Sequence, residues 1–224
     1  SSIGTEVPSL MQQAAERGMA TGFVTTTRIT HATPAATYAH SPERDWESDA
    51  NLSDEARLNG CQDIAAQLLS FDFGRGINVA MGGGLPAFIP TTQTEQLTGM
   101  SGQRRDGRDL TREWLDKYDN SAFIWNRTQL AALSLDTTQH VLGLFSRSQM
   151  SYAYDRASEE ASEPSLPEMT AAAIELLQHQ SGDSGFFLMI EAGRIDHAHH
   201  AGNAYRALYD TLEMSDAVQT VLDM

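Results

Sequence analysis

Residues 186–200 read FFLMIEAGRIDHAHH, and no other stretch of the chain concentrates as much potential chemistry. Five apolar residues, 186–190, have the pattern of a buried strand. The run ends on the carboxylate of Glu191, and Asp196, His197, His199 and His200 follow. Asp196 and His200 stand at i and i+4, so on a helix they share one face. A carboxylate and an imidazole placed this way suit a divalent ion of intermediate hardness such as Zn2+. Glu191, an oxygen donor set apart from them, suits a harder ion such as Mg2+. A polar, solvated, His-rich loop is the alternative. The apolar run directly ahead of three histidines and two acids favours the metal reading.

A second cluster is TTTRITHATP, residues 25–34, which leads on to His40 and Arg44. A strand leaving a sheet here would deliver His31, then Thr33, then Arg44. Thr33 offers a hydroxyl oxygen to a hard ion, and Arg44 offers a planar fork that matches two phosphate oxygens. Alone this is a weak signal, because Thr-rich strands are mostly just strands and surface arginines are mostly solvated. Three glycines at 82–84 invite a phosphate-loop reading, but GxxxxGK[ST] is absent and no Lys is near, so a tight turn is the expectation. The triplets at 51–53 and 126–128 match the N-glycosylation pattern, which matters only in a secreting eukaryote.

Strands and helices must hold these residues in place. Strand patterns fall at 22–27, 77–81, 122–125, 141–145 and 186–190, with helical patterns between them at 7–17, 54–69 and 167–178. In the second helix Leu58, Cys61, Ile64, Ala65, Leu68 and Leu69 mark an apolar face, which makes Cys61 a small buried hydrophobe. Ser165 with Glu168 close behind is a good helix start. Alternating buried strands and helices predict a three-layer α/β/α fold with a mostly parallel central sheet. In such sheets ligand sites lie beyond the carboxyl ends of strands, where both clusters fall. Residues 91–107 and 146–166 are polar and aperiodic and read as surface loops.

The chain has 224 residues, enough for one good-sized domain, and is 41% hydrophobic and 20% charged. No apolar stretch approaches the roughly 18 residues that cross a bilayer. The start lacks both an initiator Met and a signal-peptide pattern, and the end reads as a helix that has not been stopped, so both ends read as internal cuts. Net charge is −15, and of 15 bases all but Lys117 are arginine. Such a surface gains nothing from counterion release, which argues against a nucleic-acid-binding surface and against anionic membranes. It also suits adaptation to salt.

TTTRITHATPAATYAHSPERDW, GCQDIAAQLL, VAMGGG, FIWNRT, LGLF, PSLPEM and GFFLMIEAGRIDHAHH occur in this order. Together they closely resemble the alkaline phosphatases, nearest to the branch that includes the animal enzymes. The resemblance runs from about residue 4 to residue 218. It implies the central part of a single catalytic domain, with the family fold incomplete at both ends.

It also implies two Zn2+ and one Mg2+ around a nucleophilic serine. Asp196 and His200 match two ligands of the first zinc, Glu191 and Thr33 match two ligands of the magnesium, and Arg44 matches the guanidinium that clamps substrate phosphate. His31 and His197 match positions beside the magnesium and the phosphate. His199 matches no ligand.

The implied reaction is hydrolysis of small phosphomonoesters through a phosphoserine. The implied setting is a homodimer, periplasmic or extracellular, and in some members membrane-anchored. The Asp-Ser-Ala type motif of the nucleophile has no counterpart here and is expected upstream of Ser1. The ligands of the second zinc, and the last one for the first, are expected beyond Met224. A calcium site is not implied: the acid expected after Phe145 is Ser146, and Glu163 is left as the downstream acid. Cys61 matches a disulfide-forming position whose partner falls before Ser1, which suits an oxidising compartment. The alternative is a non-catalytic metal- or phosphate-binding module that lacks the nucleophile.

Overall fold

The computed structural model describes residues 6–158 and 163–224. The start of the chain (1–5) and part of the expected loop 146–166 (159–162) lie outside the described residues. Five strands, β1 Ala20–Arg28, β2 Val79–Gly83, β3 Ser121–Ile124, β4 His140–Leu144 and β5 Phe186–Glu191, fall on the five predicted positions. They form one all-parallel sheet in the order β3-β4-β2-β1-β5. Between them run α1 Leu10–Glu16, α2 Ala32–Tyr38, α3 Asp54–Leu58, α4 Ile64–Leu69, α5 Leu110–Lys117 and α6 Arg127–Ala131. Further on come α7 Ala153–Ser158, α8 Leu166–Ser181, α9 Arg194–His200 and α10 Ala204–Asp223.

Strand side chains alternate between two apolar clusters, as the period of two requires. Phe23, Ala80, Leu142, Phe187 and Met189 pack with α1, α2, α4 and α5. Val24, Val79, Met81, Val141, Phe186, Leu188 and Ile190 pack with α6, α8 and α10. The sheet is therefore the middle of three layers, and α8 starts as expected with a capping box between Ser165 and Glu168. No helix of the described residues is long and apolar enough to cross a membrane.

Four expectations change. The run 186–190 was expected to be buried, yet all of β5 is half-buried, because it lies at the sheet edge with β1 on one side. The helix expected over 54–69 is two helices. Gly60 takes a left-handed φ of 73°, and the Asp63 carboxylate caps a fresh start by accepting from the Ala66 amide. Leu58 and Cys61 consequently stand exposed instead of lining an apolar face. Gly82 and Gly83 are strand residues, and only Gly84 turns, at φ 98°. A Cβ on Gly82 would lie 2.8 Å from both Ile29 and Thr25, so close packing selects that glycine. Residues 146–166 hold α7 and bury Met150, Tyr152 and Arg156.

The loop 91–107 is held by charges. Arg104 is fully buried and pairs with Asp63 at 3.0 Å and with Asp106, and the fully buried carboxylate of Glu95 meets Arg147 at 2.8 Å. Breaking a buried pair such as Arg104–Asp63 costs about 3–5 kcal/mol, because one charge is left uncompensated.

Candidate active site

β1 and β5 are neighbours with Thr25 opposite Glu191, so their carboxyl ends open side by side. Glu191 continues the phase of Phe187 and Met189, toward the layer that contains α2. Its Oε2 accepts from the hydroxyls of Thr25 at 2.6 Å and Thr27 at 3.2 Å. The chain then turns through Gly193 into α9. A Cβ on Gly193 would contact the Thr27 methyl and come within 3.1 Å of the Glu191 carboxyl carbon. Glycine thus lets α9 start against the strand ends.

On α9, Asp196 Oδ2 and His200 Nε2 are 3.5 Å apart and both side chains are exposed, while Ala198 is buried on the opposite side. The expected i, i+4 face is present. His199 is exposed. His197 points its Nδ1 at Arg194 Nη1, 3.1 Å away, and sets its ring edge-on to His31 with centroids 5.5 Å apart. Arg194 lies 3.7 Å over the ring of Tyr152.

From the end of β1 the chain enters α2, with His31 in the N-cap position. The Tyr38 hydroxyl returns to the Ile29 carbonyl at 2.9 Å and fixes this corner. His31 Nε2 is 3.2 Å from Arg44 Nη2, and its Nδ1 is buried without a partner among the described residues. Burial lowers the His31 pKa, with Arg28 and Arg44 adding to the effect. Burial likewise lowers that of His197, helped by Arg194 and then His31. Both rings are therefore neutral near pH 7. Arg44 is exposed on a loop, 39–48, that has neither helix nor strand.

The structure thus brings His31, Arg44 and His197 into one contact chain and pairs Asp196 with His200. Thr33 is exposed in the first turn of α2 and makes no hydrogen bond to Glu191. Among the described residues no three His, Cys, Asp or Glu side chains converge on one metal position. Ser146 donates to the Gln149 carbonyl, and Glu163 accepts from the Ser151 amide.

Sequence reasoning missed two groups. One is the pair Arg28–Glu47 at the end of β1, with Nε–Oε2 2.7 Å and Nη2–Oε1 2.6 Å, joined by the Thr30 hydroxyl at 2.5 Å. The other is Arg194. Both arginines stood inside the conspicuous motifs, but Glu47 beside Arg28 and Tyr152 under Arg194 lie well away from them in sequence.

The alkaline phosphatase family model matches residues 1–224. The chain is 43% identical over 222 residues to the tissue-nonspecific alkaline phosphatase of Homo sapiens, which covers 96% of this chain and 41% of that protein. It superposes on the alkaline phosphatase of Thermus thermophilus with a TM-score of 0.71 at 34% identity, over 94% of this chain and 37% of that one. A variant of the alkaline phosphatase of the Antarctic bacterium TAB5, described with Mg bound, gives a TM-score of 0.68 at 25% identity, over 98% of this chain and 51% of that one. A parallel α/β sheet with acids and imidazoles gathered at its strand ends defines the class. Within it, this chain belongs to the alkaline phosphatase family. It spans about two fifths of the length of the curated relatives it matches.

Proposed function

We propose that the chain is the central part of a single catalytic domain that hydrolyses small phosphomonoesters, as an exported homodimer with two Zn2+ and one Mg2+. The observation that supports this most is the meeting of Arg44, His31 and His197, with Glu191 and the Asp196–His200 pair, at or past the carboxyl ends of two adjacent strands. The donor chemistry fits the ions. Asp196 and His200 supply the carboxylate and imidazole that zinc takes, and Glu191 with the Thr33 hydroxyl supplies oxygens for magnesium. The buried Nδ1 of His31, without a partner among the described residues, is a further sign that a group besides those residues completes this site. When bound, the ions would lower the pKa of a nucleophile and offset charge on phosphoryl oxygens.

The chain's own residues do the rest. Arg44 presents its fork to two phosphate oxygens and orients the ester for in-line attack. His31, neutral, accepts from Arg44 Nη2, and His197, also neutral, accepts from Arg194 and sets its ring against His31, so neither adds charge beside that fork. The Thr25 and Thr27 hydroxyls hold Glu191 in one orientation. The nucleophilic serine and the remaining ligands come from outside these 224 residues.

The test is hydrolysis of p-nitrophenyl phosphate by the full-length protein, with metal content read by plasma emission. Arg44→Ala should lower kcat/KM by about 10²-fold or more, with two zinc and one magnesium per wild-type chain. Fewer than two zinc counts against the reading. The 224-residue chain alone should show no turnover; turnover by it, abolished by Arg44→Ala, would refute the placement of the nucleophile elsewhere.

A further inference from the structure

The loop that carries Arg44 has its backbone fastened at both ends to one helix. Gln67 of α4 accepts from the His40 amide at 2.8 Å and donates to the His40 carbonyl at 3.1 Å. The first-turn amides of α4, Ile64 and Ala65, donate to the carbonyls of Trp46 and Glu47. This places the backbone of Arg44, while its exposed side chain touches His31 Nε2 through Nη2 and is not held by the loop itself. The loop offers three carboxylates. Glu43 and Asp45 are exposed and hydrated, whereas Glu47 is partly buried, with a side chain 17% exposed. A poorly hydrated carboxylate three residues away attracts a guanidinium more strongly than an exposed one does.

Arg28, at the last position of β1, already occupies that carboxylate. Its Nε and Nη2 take the two oxygens of Glu47 in a fork-to-fork pair, and Thr30 adds a third hydrogen bond. Burial pushes the Glu47 pKa up, but the bonds from Arg28 and Thr30 more than reverse this, so the carboxylate stays ionised. We propose that Arg28 is a positioning residue: by neutralising Glu47 it keeps Arg44 free to receive the phosphate group of the substrate. Arg28 itself does not touch the phosphate. This rests on the reading of Arg44 as the phosphate clamp.

In the full-length protein, the inhibition constant of inorganic phosphate and the KM for p-nitrophenyl phosphate read the effect directly. Arg28→Ala should raise both by about tenfold, the size expected when a newly unpaired carboxylate competes for one guanidinium, with kcat changed far less. Arg28→Lys should recover part of the loss. Arg28→Ala combined with Glu47→Gln should return both constants toward wild type, because the competing carboxylate is gone. Glu47→Gln alone should bind phosphate at least as well as wild type.

A double variant no better than Arg28→Ala, or a tenfold weakening in Glu47→Gln, would show that the pair is merely structural and would overturn the proposal. Glu47→Gln and Arg28→Lys decide the matter even where Arg28→Ala fails to fold, as melting temperature would reveal. A wild-type protein that neither turns over the ester nor binds phosphate sinks the reading of Arg44 itself. A wild-type protein that binds phosphate, paired with an Arg28→Ala variant that binds equally well, sinks only the positioning role.

Discussion

Gly193 carries a constraint that its neighbours, with their conspicuous functional groups, draw attention away from. Its φ of −66° is ordinary, so backbone freedom does not demand glycine there. Space does: an added methyl would meet the Thr27 methyl and press on the Glu191 carboxyl group, 3.1–3.2 Å away. Neither neighbour can retreat cheaply, since Thr27 is buried in β1 and Glu191 is held by two hydroxyls. Gly193→Ala should therefore either lift Glu191 off Thr25 and Thr27 or shift the start of α9 with Asp196. Overpacking of this kind costs about 1–3 kcal/mol, and loss of the groups that orient a ligand weakens metal binding by about 10–100-fold. Magnesium reactivation of the chelated full-length variant is the measurement. With Glu191 and Asp196 as the proposed magnesium and zinc ligands, an unchanged magnesium midpoint together with unchanged zinc retention would mean that Gly193 does not set these positions.

At the scale of elements, α10 meets α7 through charge as well as apolar contact. Asp210 of α10 is buried, accepts from the Ala153 amide at 3.3 Å and leaves its Oδ1 without a partner among the described residues. Burial raises its pKa from 3.8 to about 6, and Glu213, one turn on, adds to the rise. The folded chain therefore holds this proton up to about pH 6, whereas the unfolded chain releases it near pH 4. Within that window the folded state binds more protons, so stability falls as pH rises and stays lower above it. Asp210→Asn should raise the melting temperature at pH 8 and leave it nearly unchanged at pH 4; equal shifts at both would reject the buried-acid account.

The same scale explains what the sequence could disclose. The strands were legible because parallel strands buried on both faces read as apolar runs. The Ser165–Glu168 cap was legible because its logic is local. The break between α3 and α4 was not: apolar spacing continues straight through the left-handed turn at Gly60, and the cap that starts α4 afresh, Asp63, is fixed by Arg104 forty-one positions later. The site divides the same way. The i, i+4 pair on α9 follows from spacing, while the Arg28–Glu47 pair exists only because a strand end and an irregular loop come together.

At the scale of the whole molecule, 30 acids face 15 bases, so acids outnumber the bases that could neutralise them. Charge pairing is uneven: Arg104, Arg147 and Arg156 sit in largely buried pairs with acids, while others such as Arg57–Asp54 and Arg112–Asp116 are exposed. Exposed pairs contribute about 0–1 kcal/mol each and weaken with salt, whereas buried ones are little screened. Repulsion among the remaining acids is screened as the Debye length falls from about 10 Å at 0.1 M to about 3 Å at 1 M. The net effect of salt should therefore be stabilising. Each kcal/mol gained raises the melting temperature of a chain this size by about 2–4 °C, and a rise of at least that much is expected between low and high NaCl. Screening and salting-out separate by their salt dependence. Screening acts mainly at low concentration and depends on ionic strength, so chloride and sulfate should agree there when ionic strength is matched. Exclusion from the surface instead grows with concentration and favours sulfate. A melting temperature that stays flat or falls over the dilute range would mean that specific pairs, not net charge, govern the stability of this acidic chain.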